Sequence, residues 1–229
     1  MQTSSTADLD VATVLAIDIG GTKLAAGVVD PTGQLIGEHR TPTPPDGDAE
    51  QIWSALVGAI ERALDGAGRP QVEAIGVGCG GPMQWPEGVV SPLTMQGWTD
   101  FPVRQRLVEH FGVPVRLHND AVCVAIAEHW QGAGQGRDNM LGMVVSTGVG
   151  GGLILGGQVH DGATGNGGHI GHVVVEPDGP ACRCGGHGCL EAVARGPAVA
   201  AWAVAHGWDD GAPTAAAVAA SARQGHPIA

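Results

Sequence analysis

Cysteine and histidine residues crowd into one short stretch of the chain. It contains His169, His172, Cys182, Cys184, His187 and Cys189. Three thiolates and one imidazole form a closed tetrahedral shell for a structural Zn²⁺ ion. The spacing predicts a zinc site built on the three cysteines, and it does not choose between His172 and His187 as the fourth ligand.

Two glycine-rich turns are candidates for binding phosphate. The first contains Asp18, Gly20, Gly21, Thr22 and Lys23, and the second contains Ser146, Thr147, Gly148 and Gly150 to Gly152. Glycine lets backbone N–H groups face outward as an anion nest, while Thr22 adds a hydroxyl and Lys23 a cation. Asp18 is placed to hold a metal ion through water. The first turn lacks Walker A spacing, and each turn alone has the alternative of a plain tight hairpin. One such turn in each half of the chain, facing each other across a cleft, suits the phosphate chain of a nucleotide.

His118, Asn119 and Asp120 follow a predicted strand and precede a predicted helix. Ligands collect at the carboxyl ends of strands in α/β folds. The nearby helix N-terminus favours an ionised Asp120, as a general base requires. The alternative is that Asn119 or Asp120 merely caps the helix.

The elements that position these residues follow from the apolar pattern. Strands are predicted at 11–17, 24–29, 34–40, 72–77 and 113–117, with helices after Asp48 and at 102–111 and 121–130. Then strands recur at 140–145, 153–155 and 172–176, around a glycine turn at 148–152. Helices are predicted at 190–206 and 214–223. Two glycine-turn hairpins, each in its own sheet, indicate duplicated α/β domains at 1–120 and 121–229, and the second domain is expected to be incomplete.

Composition excludes several classes of protein. The net charge is −12 with no run of Lys or Arg, which opposes nucleic-acid binding because phosphates require a basic face. No stretch approaches the roughly 20 continuous apolar residues of a membrane span. Residues 1–12 lack the basic-then-apolar layout of a signal peptide. Five cysteines, three of them clustered, favour a metal site in a reducing cytoplasm over a disulfide scaffold.

Together these motifs resemble those of the ROK family (repressors, uncharacterised reading frames and sugar kinases) of the actin-like kinase superfamily. The resemblance spans residues 14 to about 196. It implies a duplicated, ribonuclease H-like fold, a sugar and ATP with Mg²⁺ as ligands, and a structural Zn²⁺. Dimers are the habit of this family, so a homodimer is expected. The activity implied is transfer of the γ-phosphate of ATP to the 6-hydroxyl of a hexose, as in glucokinases.

The resemblance also implies roles for individual residues. Asp120 takes the proton of the attacking hydroxyl. Phosphate is held by Asp18, Gly20, Gly21, Thr22, Lys23, Thr147 and Gly148. The sugar is held by Gly81, Asn119, Asp120, His169, His172 and Glu191. His172 also completes the zinc shell with Cys182, Cys184 and Cys189, in preference to His187. His169 stands where the family usually has Glu, a variant that resembles N-acetylmannosamine kinases, which form the alternative function.

Two other functions are weighed against a kinase. A sugar-responsive regulator of the same family carries a helix-turn-helix domain ahead of the first phosphate strand. Only about a dozen residues precede that strand here, and the net charge of −12 opposes DNA binding. A catalytically silent sugar-binding protein is suggested by the missing later segment of the family. The presence of Asp18, Lys23, Asp120 and Thr147 argues against this loss of activity.

Overall fold

A five-stranded mixed sheet organises the first part of the chain. The computed structural model describes residues 13–229, so the start of the predicted strand at 11–17 and the signal-peptide prediction for 1–12 lie outside the described residues. The elements are β1 (Val14–Ile19), β2 (Lys23–Val29), β3 (Leu35–Pro42), α1 (Ala49–Gly66), β4 (Ala74–Cys79), β5 (Met83–Gln84), β6 (Val89–Val90), α2 (Val103–Phe111) and β7 (Val115–Asn119). The sheet order is β3-β2-β1-β4-β7, in which β1, β4 and β7 are parallel and β2 and β3 complete an antiparallel meander.

Helix α1 packs against strands β2 and β3 of this sheet. Its start is fixed by a capping box, in which the Asp48 side chain accepts from the Gln51 N–H and the Gln51 side chain accepts from the Asp48 N–H. The apolar face of the helix meets the alternating apolar positions of β1 in one core. Its buried members include Leu15, Ile17, Ile19, Ile52, Leu56 and Ile60. The predicted helix after Asp48 is therefore confirmed.

The chain divides into two units by its internal contacts, one ending at Asp120 and one running from Ala121 to Ala229. The later elements are α3 (Asp120–Gln131), β8 (Met140–Val145), β9 (Val149–Leu155), β10 (Gln158–Val159), a 3-10 helix (Ile170–His172), α4 (Leu190–Ala194), α5 (Gly196–Ala205) and α6 (Ala215–Arg223). Strands β8, β9 and β10 form an antiparallel sheet in the order β10-β9-β8. Each glycine-turn hairpin thus lies in its own sheet, as predicted.

Three glycines predicted to form a turn instead lie within strand β9. Gly150, Gly151 and Gly152 pair with residues of β8. A Cβ atom on Gly150 would lie 2.6 Å from the Cβ of Ala121, and one on Gly152 would lie 2.7 Å from the Cβ of Ala125. Helix α3 therefore lies directly on the strand backbone, and glycine serves close packing here rather than turning.

The strand predicted at 172–176 is wrong. His172 ends the 3-10 helix, and the following residues contribute only an isolated bridge between Val174 and Cys189. The reason is a close approach of two backbones, because a Cβ atom on Gly171 would lie 1.9 Å from the carbonyl oxygen of Val149. The segment folds back against the start of β9 instead of extending beside it.

The single helix predicted at 190–206 is interrupted. Arg195 adopts an extended conformation between α4 and α5, with φ −61° and ψ 151°. Pro197 lies in the first turn of α5, where its missing N–H is tolerated, but it cannot continue a helix from Val193. The predicted helix at 214–223 is confirmed, with Thr214 as its N-cap. None of the helices described between residues 13 and 229 has the length and apolar content needed to cross a bilayer.

Candidate functional site

The parallel strands of the first unit bring three predicted site segments to one edge of the sheet. Ile19 pairs with Cys79, and Cys79 pairs with Asn119, so β1, β4 and β7 end at the same level. The first glycine turn follows β1, Gly81 follows β4, and Asp120 follows β7. Neighbouring strands lie about 4.8 Å apart, which places the first glycine turn and Asp120 about 10 Å from each other.

The first glycine turn is held by a residue that the sequence did not single out. Thr43 follows β3 and is only 5% exposed. Its hydroxyl donates to the carbonyl oxygen of Gly20 at 2.6 Å, and its N–H donates to the carbonyl oxygen of Thr22 at 3.1 Å. Both bonds fix the turn from outside the hairpin. Thr43 stands in a Thr-Pro-Thr-Pro run that gives no signal of this role.

Thr94 lies close against this turn, and the sequence did not indicate it. A Cβ atom on Gly21 would lie 2.2 Å from Oγ1 of Thr94. Any side chain at residue 21 would therefore displace the loop that carries Thr94, so glycine is required by close approach rather than by an unusual backbone angle.

Lys23 and Asp18 contribute the charges of the first turn. Nζ of Lys23 lies 3.4 Å from Oδ2 of Asp18, and the two side chains are 48% and 54% exposed. An ion pair so exposed contributes little to stability. A cation and a carboxylate at the surface of a glycine turn are instead accessible to a phosphate and to a hydrated metal ion.

The second glycine turn connects β8 to β9. Val145 and Val149 form the last pair of the hairpin, and the Ser146 N–H donates to the carbonyl oxygen of Gly148 at 2.8 Å. The turn opens onto a cavity of about 400 Å³. The cavity is lined by turn residues and by residues at the starts of α5 and α6, including Ser146, Thr147, Gly196, Pro197, Thr214 and Ala215.

Four of the predicted metal ligands lie together in the second unit. The ligand atoms of His172, Cys182, Cys184 and Cys189 are all within 4.8 Å of one another. Sγ of Cys182 lies 3.7 Å from Nδ1 of His172, and Sγ of Cys184 lies 3.6 Å from Sγ of Cys189. Ligands about 2.3 Å from a tetrahedral Zn²⁺ are about 3.7 Å from each other, so these separations fit the ion. The group does not include His187.

The environments of the thiols differ. The backbone N–H of Gly186 donates to Cys184 and lowers the pKa of that thiol, with further lowering from Cys182 and Cys189. Burial, together with smaller contributions from hydrogen bonds and charge interactions with Cys184 and Cys182, raises the pKa of the Cys189 thiol to about 12. A cation at the centre of the cluster reverses this for Cys189, because a coordinating thiol is deprotonated by the metal.

The predicted sugar residues of the second unit surround the start of β9. His169 precedes the 3-10 helix, His172 ends it, and Glu191 lies in the first turn of α4. The 3-10 helix and α4 contact each other and β9. Oε2 of Glu191 accepts a hydrogen bond from the Val149 N–H at 2.9 Å. Of the other predicted sugar residues, Gly81, Asn119 and Asp120 belong to the first unit.

Sequence comparison gives relatives of two activities. The chain is 40% identical over 187 residues to an N-acetylmannosamine kinase of Yersinia pseudotuberculosis, covering 82% of this chain and 62% of that protein. It is 35% identical over 189 residues to a glucokinase of Halalkalibacterium halodurans, covering 81% and 57%. The chain thus spans about three-fifths of the length of these relatives.

Structure comparison gives neighbours of two kinds. The ROK hexokinase of Thermus thermophilus matches with a TM-score of 0.77 at 46% identity, covering 85% of this chain and 64% of that one. A ROK family glucokinase of Streptomyces griseus, in complex with glucose and AMPPNP, matches with a TM-score of 0.74 at 34% identity, covering 94% and 72%. A ROK family transcriptional regulator, a homologue of the E. coli MLC protein, matches with a TM-score of 0.81 at 25% identity, covering 94% and 57%.

These likenesses confirm the predicted α/β fold class, since the neighbours are ROK proteins with the actin-like fold and this chain covers part of them. The ROK family model matches residues 14–229, which is almost all of the described chain. The chain belongs to the ROK family.

Proposed function

We propose that the protein is an ATP-dependent kinase that phosphorylates the 6-hydroxyl of a hexose. The observation that carries the proposal is the strand register of the first unit, in which Ile19, Cys79 and Asn119 end parallel strands at one level. A phosphate turn and a carboxylate about two strand spacings apart, or about 10 Å, leave room between them for a γ-phosphate and a sugar hydroxyl. The identity of 34–46% to hexokinase and glucokinase structures supports the same activity.

Asp120 is proposed as the general base. Its carboxylate accepts the proton of the 6-hydroxyl while that oxygen forms a bond to the γ-phosphorus and the bond to the ADP oxygen breaks. Phosphoryl transfer depends mainly on positioning and on stabilising charge, so few protein groups are needed. Asp120 is the first residue of helix α3 and directly follows strand β7.

The proposed phosphate-binding groups for the nucleotide are the two glycine turns, one in each unit. The first turn would supply Gly20, Gly21, Thr22 and Lys23, with Asp18 holding Mg²⁺ through water, and the second would supply Thr147 and Gly148. The cavity of about 400 Å³ beside the second turn suits the nucleoside part. The glucokinase neighbour of Streptomyces griseus binds AMPPNP together with glucose, which supports this choice of ligand.

A structural zinc ion is proposed at His172, Cys182, Cys184 and Cys189. The supporting observation is the pair of ligand separations, 3.6 and 3.7 Å, which match the edges of a zinc tetrahedron. The ion would stabilise the loop between His172 and Cys189, which leads into the helix that carries Glu191. His172 would use one imidazole nitrogen for the metal and leave the other for the sugar. The other proposed sugar ligands are His169 and Glu191 in the second unit and Gly81, Asn119 and Asp120 in the first.

N-Acetylmannosamine is the second candidate substrate. The kinase of that sugar from Yersinia pseudotuberculosis is 40% identical to this chain, against 35% for the glucokinase of Halalkalibacterium halodurans. His169 is the residue of this chain that favours an acetamido sugar.

A regulator is the weaker candidate, because the regulator neighbour is only 25% identical and the net charge of −12 opposes binding to DNA.

The test is sugar-dependent release of ADP from Mg·ATP, measured with glucose, mannose, N-acetylglucosamine and N-acetylmannosamine in parallel. We expect kcat/KM to be highest for glucose or mannose. A highest value for N-acetylmannosamine would transfer the proposal to the second candidate. Sugar binding without any ADP release would overturn the kinase in favour of a silent binding protein. A homodimer and a cytoplasmic location stay predictions from the sequence.

A further inference from the structure

The residue that closes the second glycine turn is contacted on two sides by residues next to the proposed metal ligands. Val149 is 5% exposed. Its N–H donates to Oε2 of Glu191 at 2.9 Å. Its carbonyl oxygen lies against Gly171, where a Cβ atom would be only 1.9 Å away. Both backbone polar groups of Val149 are therefore covered by residues that flank the loop between His172 and Cys189.

Each of these contacts adjoins a proposed metal ligand. Gly171 immediately precedes His172, and Glu191 follows Cys189 by two residues. Cys189 occupies the N-cap position of helix α4. The position of Cys189 therefore sets where α4 begins and where Glu191, in its first turn, lies. The segments that follow His172 and Cys189 are also joined directly, since the Leu190 N–H donates to the carbonyl oxygen of Val173 at 2.9 Å.

The first residue of helix α5 holds the other end of the turn. The Gly196 N–H, just beyond α4, donates to the carbonyl oxygen of Ser146 at 2.8 Å. At the Val149 end of the turn, a Cβ atom on Gly148 would lie 2.6 Å from Oε2 of Glu191. No side chain therefore separates this carboxylate from the turn. Ser146 and Val149, the two ends of the turn, are thus both bonded to α4 or its flanking residues.

We infer that the metal cluster clamps the second glycine turn, and that Glu191 is the positioning residue that transmits the clamp to the Val149 N–H. This inference rests on the proposed function in assigning phosphate to the turn. A metal ion that joins His172 to Cys189 fixes the ends of the intervening loop and thereby holds Gly171 and Glu191 against Val149. Without the ion, closing that loop costs conformational entropy that the remaining backbone contacts must offset alone.

The clamp gives Glu191 a role distinct from the sugar contact implied by the family resemblance. A residue that only bound sugar would leave nucleotide binding unchanged when no sugar is present. A residue that positions the turn affects the nucleotide and the turn itself without any sugar. Amide exchange at Val149 reports the turn directly, and titration with Mg·AMPPNP in the absence of sugar reports its ligand.

The experiment compares five samples of the 229-residue chain: zinc-loaded protein, protein stripped with a chelator, and the zinc-loaded variants Glu191→Ala, Glu191→Gln and Asp178→Ala. Asp178 is an exposed carboxylate of the same loop and serves as the matched control. We expect exchange at Val149 to be about tenfold faster in the stripped protein and in Glu191→Ala, as loss of one charge-assisted hydrogen bond implies. Glu191→Gln keeps an acceptor oxygen and should stay within about threefold of the parent protein, as should Asp178→Ala.

The measurement of nucleotide affinity separates this inference from the proposed function. Affinity for Mg·AMPPNP without sugar should fall about tenfold in the same two samples, because a loosened turn must be ordered at a cost when phosphate binds. Unchanged exchange at Val149 in a folded Glu191→Ala protein would overturn the clamp, whatever the stripped protein does. If exchange responds as expected but the zinc-loaded protein binds no nucleotide, the clamp stands and the proposed phosphate site fails.

Discussion

The hydroxyl of Thr43 donates a hydrogen bond to the carbonyl oxygen of Gly20 at 2.6 Å, although the two residues are 23 positions apart in the chain. Together with the bond from the Thr43 N–H to Thr22, it fixes the first glycine turn to the end of β3. Within the turn, the Gly20 N–H also donates to the Lys23 carbonyl oxygen at 3.0 Å, so the backbone of the turn is fixed before any ligand arrives. Such preorganisation lowers the entropic cost of binding phosphate.

Thr43→Val should therefore weaken the turn while preserving the shape of the side chain. The variant leaves the Gly20 carbonyl without this bond, so we expect a loss of about 1–2 kcal/mol in the free energy of unfolding, measured by urea denaturation. Thr41→Val makes the same chemical change two residues earlier, at a side chain with no hydrogen bond recorded among the described residues. It should change stability by less than about 0.5 kcal/mol. Equal losses for the two variants would show that the Thr43 hydroxyl has no special role.

Gly21→Ala tests the close approach of Thr94. The added methyl would meet Oγ1 of Thr94 at 2.2 Å and its Cβ at 2.4 Å, so we expect overpacking to cost about 1–3 kcal/mol and to weaken nucleotide binding. Thr94→Gly removes both of those atoms. The double variant should therefore be less destabilised than the sum of the two single variants, by more than about 0.5 kcal/mol in a double-mutant cycle. Additive losses would place the strain elsewhere in the turn.

Local patterns predicted much of the fold and the types of residue in the candidate site. The alternation of β1, the apolar face of α1 and the Asp48 cap are all properties of neighbouring residues, and the sequence displays them directly. The cysteine spacing likewise predicted a metal cluster. It did not choose between His172 and His187, because that choice depends on how the segment before the loop folds back against β9.

Contacts between distant segments could not be predicted in the same way. Thr43 and Thr94 act on the first turn through tertiary packing, and no periodicity or spacing encodes that. The same limit explains the error at Gly150 to Gly152. Clustered glycine is typical of turns, and only the close approach of Ala121 and Ala125 shows that these residues belong to a strand. The interruption at Arg195 was visible in principle, since Pro197 follows it and proline breaks helix interiors.

Metal analysis should find about one zinc ion per chain in freshly purified protein. His172→Ala removes a proposed ligand, so this variant should lose most of its zinc to a competing chelator at a concentration that the parent protein withstands. His187→Ala is the matched control, because His187 lies in the same loop but outside the ligand group. It should keep its zinc. Loss of zinc from His187→Ala with retention in His172→Ala would reverse the assignment.

Asp120→Asn tests the proposed base. The amide keeps the size of the side chain and much of its hydrogen bonding, but it cannot accept the proton of the sugar hydroxyl. We expect kcat to fall by about 10²-fold or more while the Kd for sugar, measured by calorimetry, changes by less than about threefold. If sugar binding is lost together with turnover, Asp120 is first a binding residue, and the proton must leave by another route.

His169→Glu tests which sugar the pocket prefers. A neutral imidazole offers one donor and one acceptor, so His169 can give a hydrogen bond to an acetamido carbonyl, whereas an ionised Glu only accepts and suits the hydroxyls of a plain hexose. The substitution also adds a negative charge to the pocket. We expect the ratio of kcat/KM for glucose to that for N-acetylmannosamine to rise at least about tenfold, which corresponds to about 1.4 kcal/mol of discrimination. His169→Gln keeps a donor and an acceptor without the charge, and it should leave the ratio within about threefold. If His169→Glu leaves the ratio of the two kcat/KM values unchanged, selectivity is set by other residues of the pocket. Gly81 and Glu191 would then be the next residues to substitute.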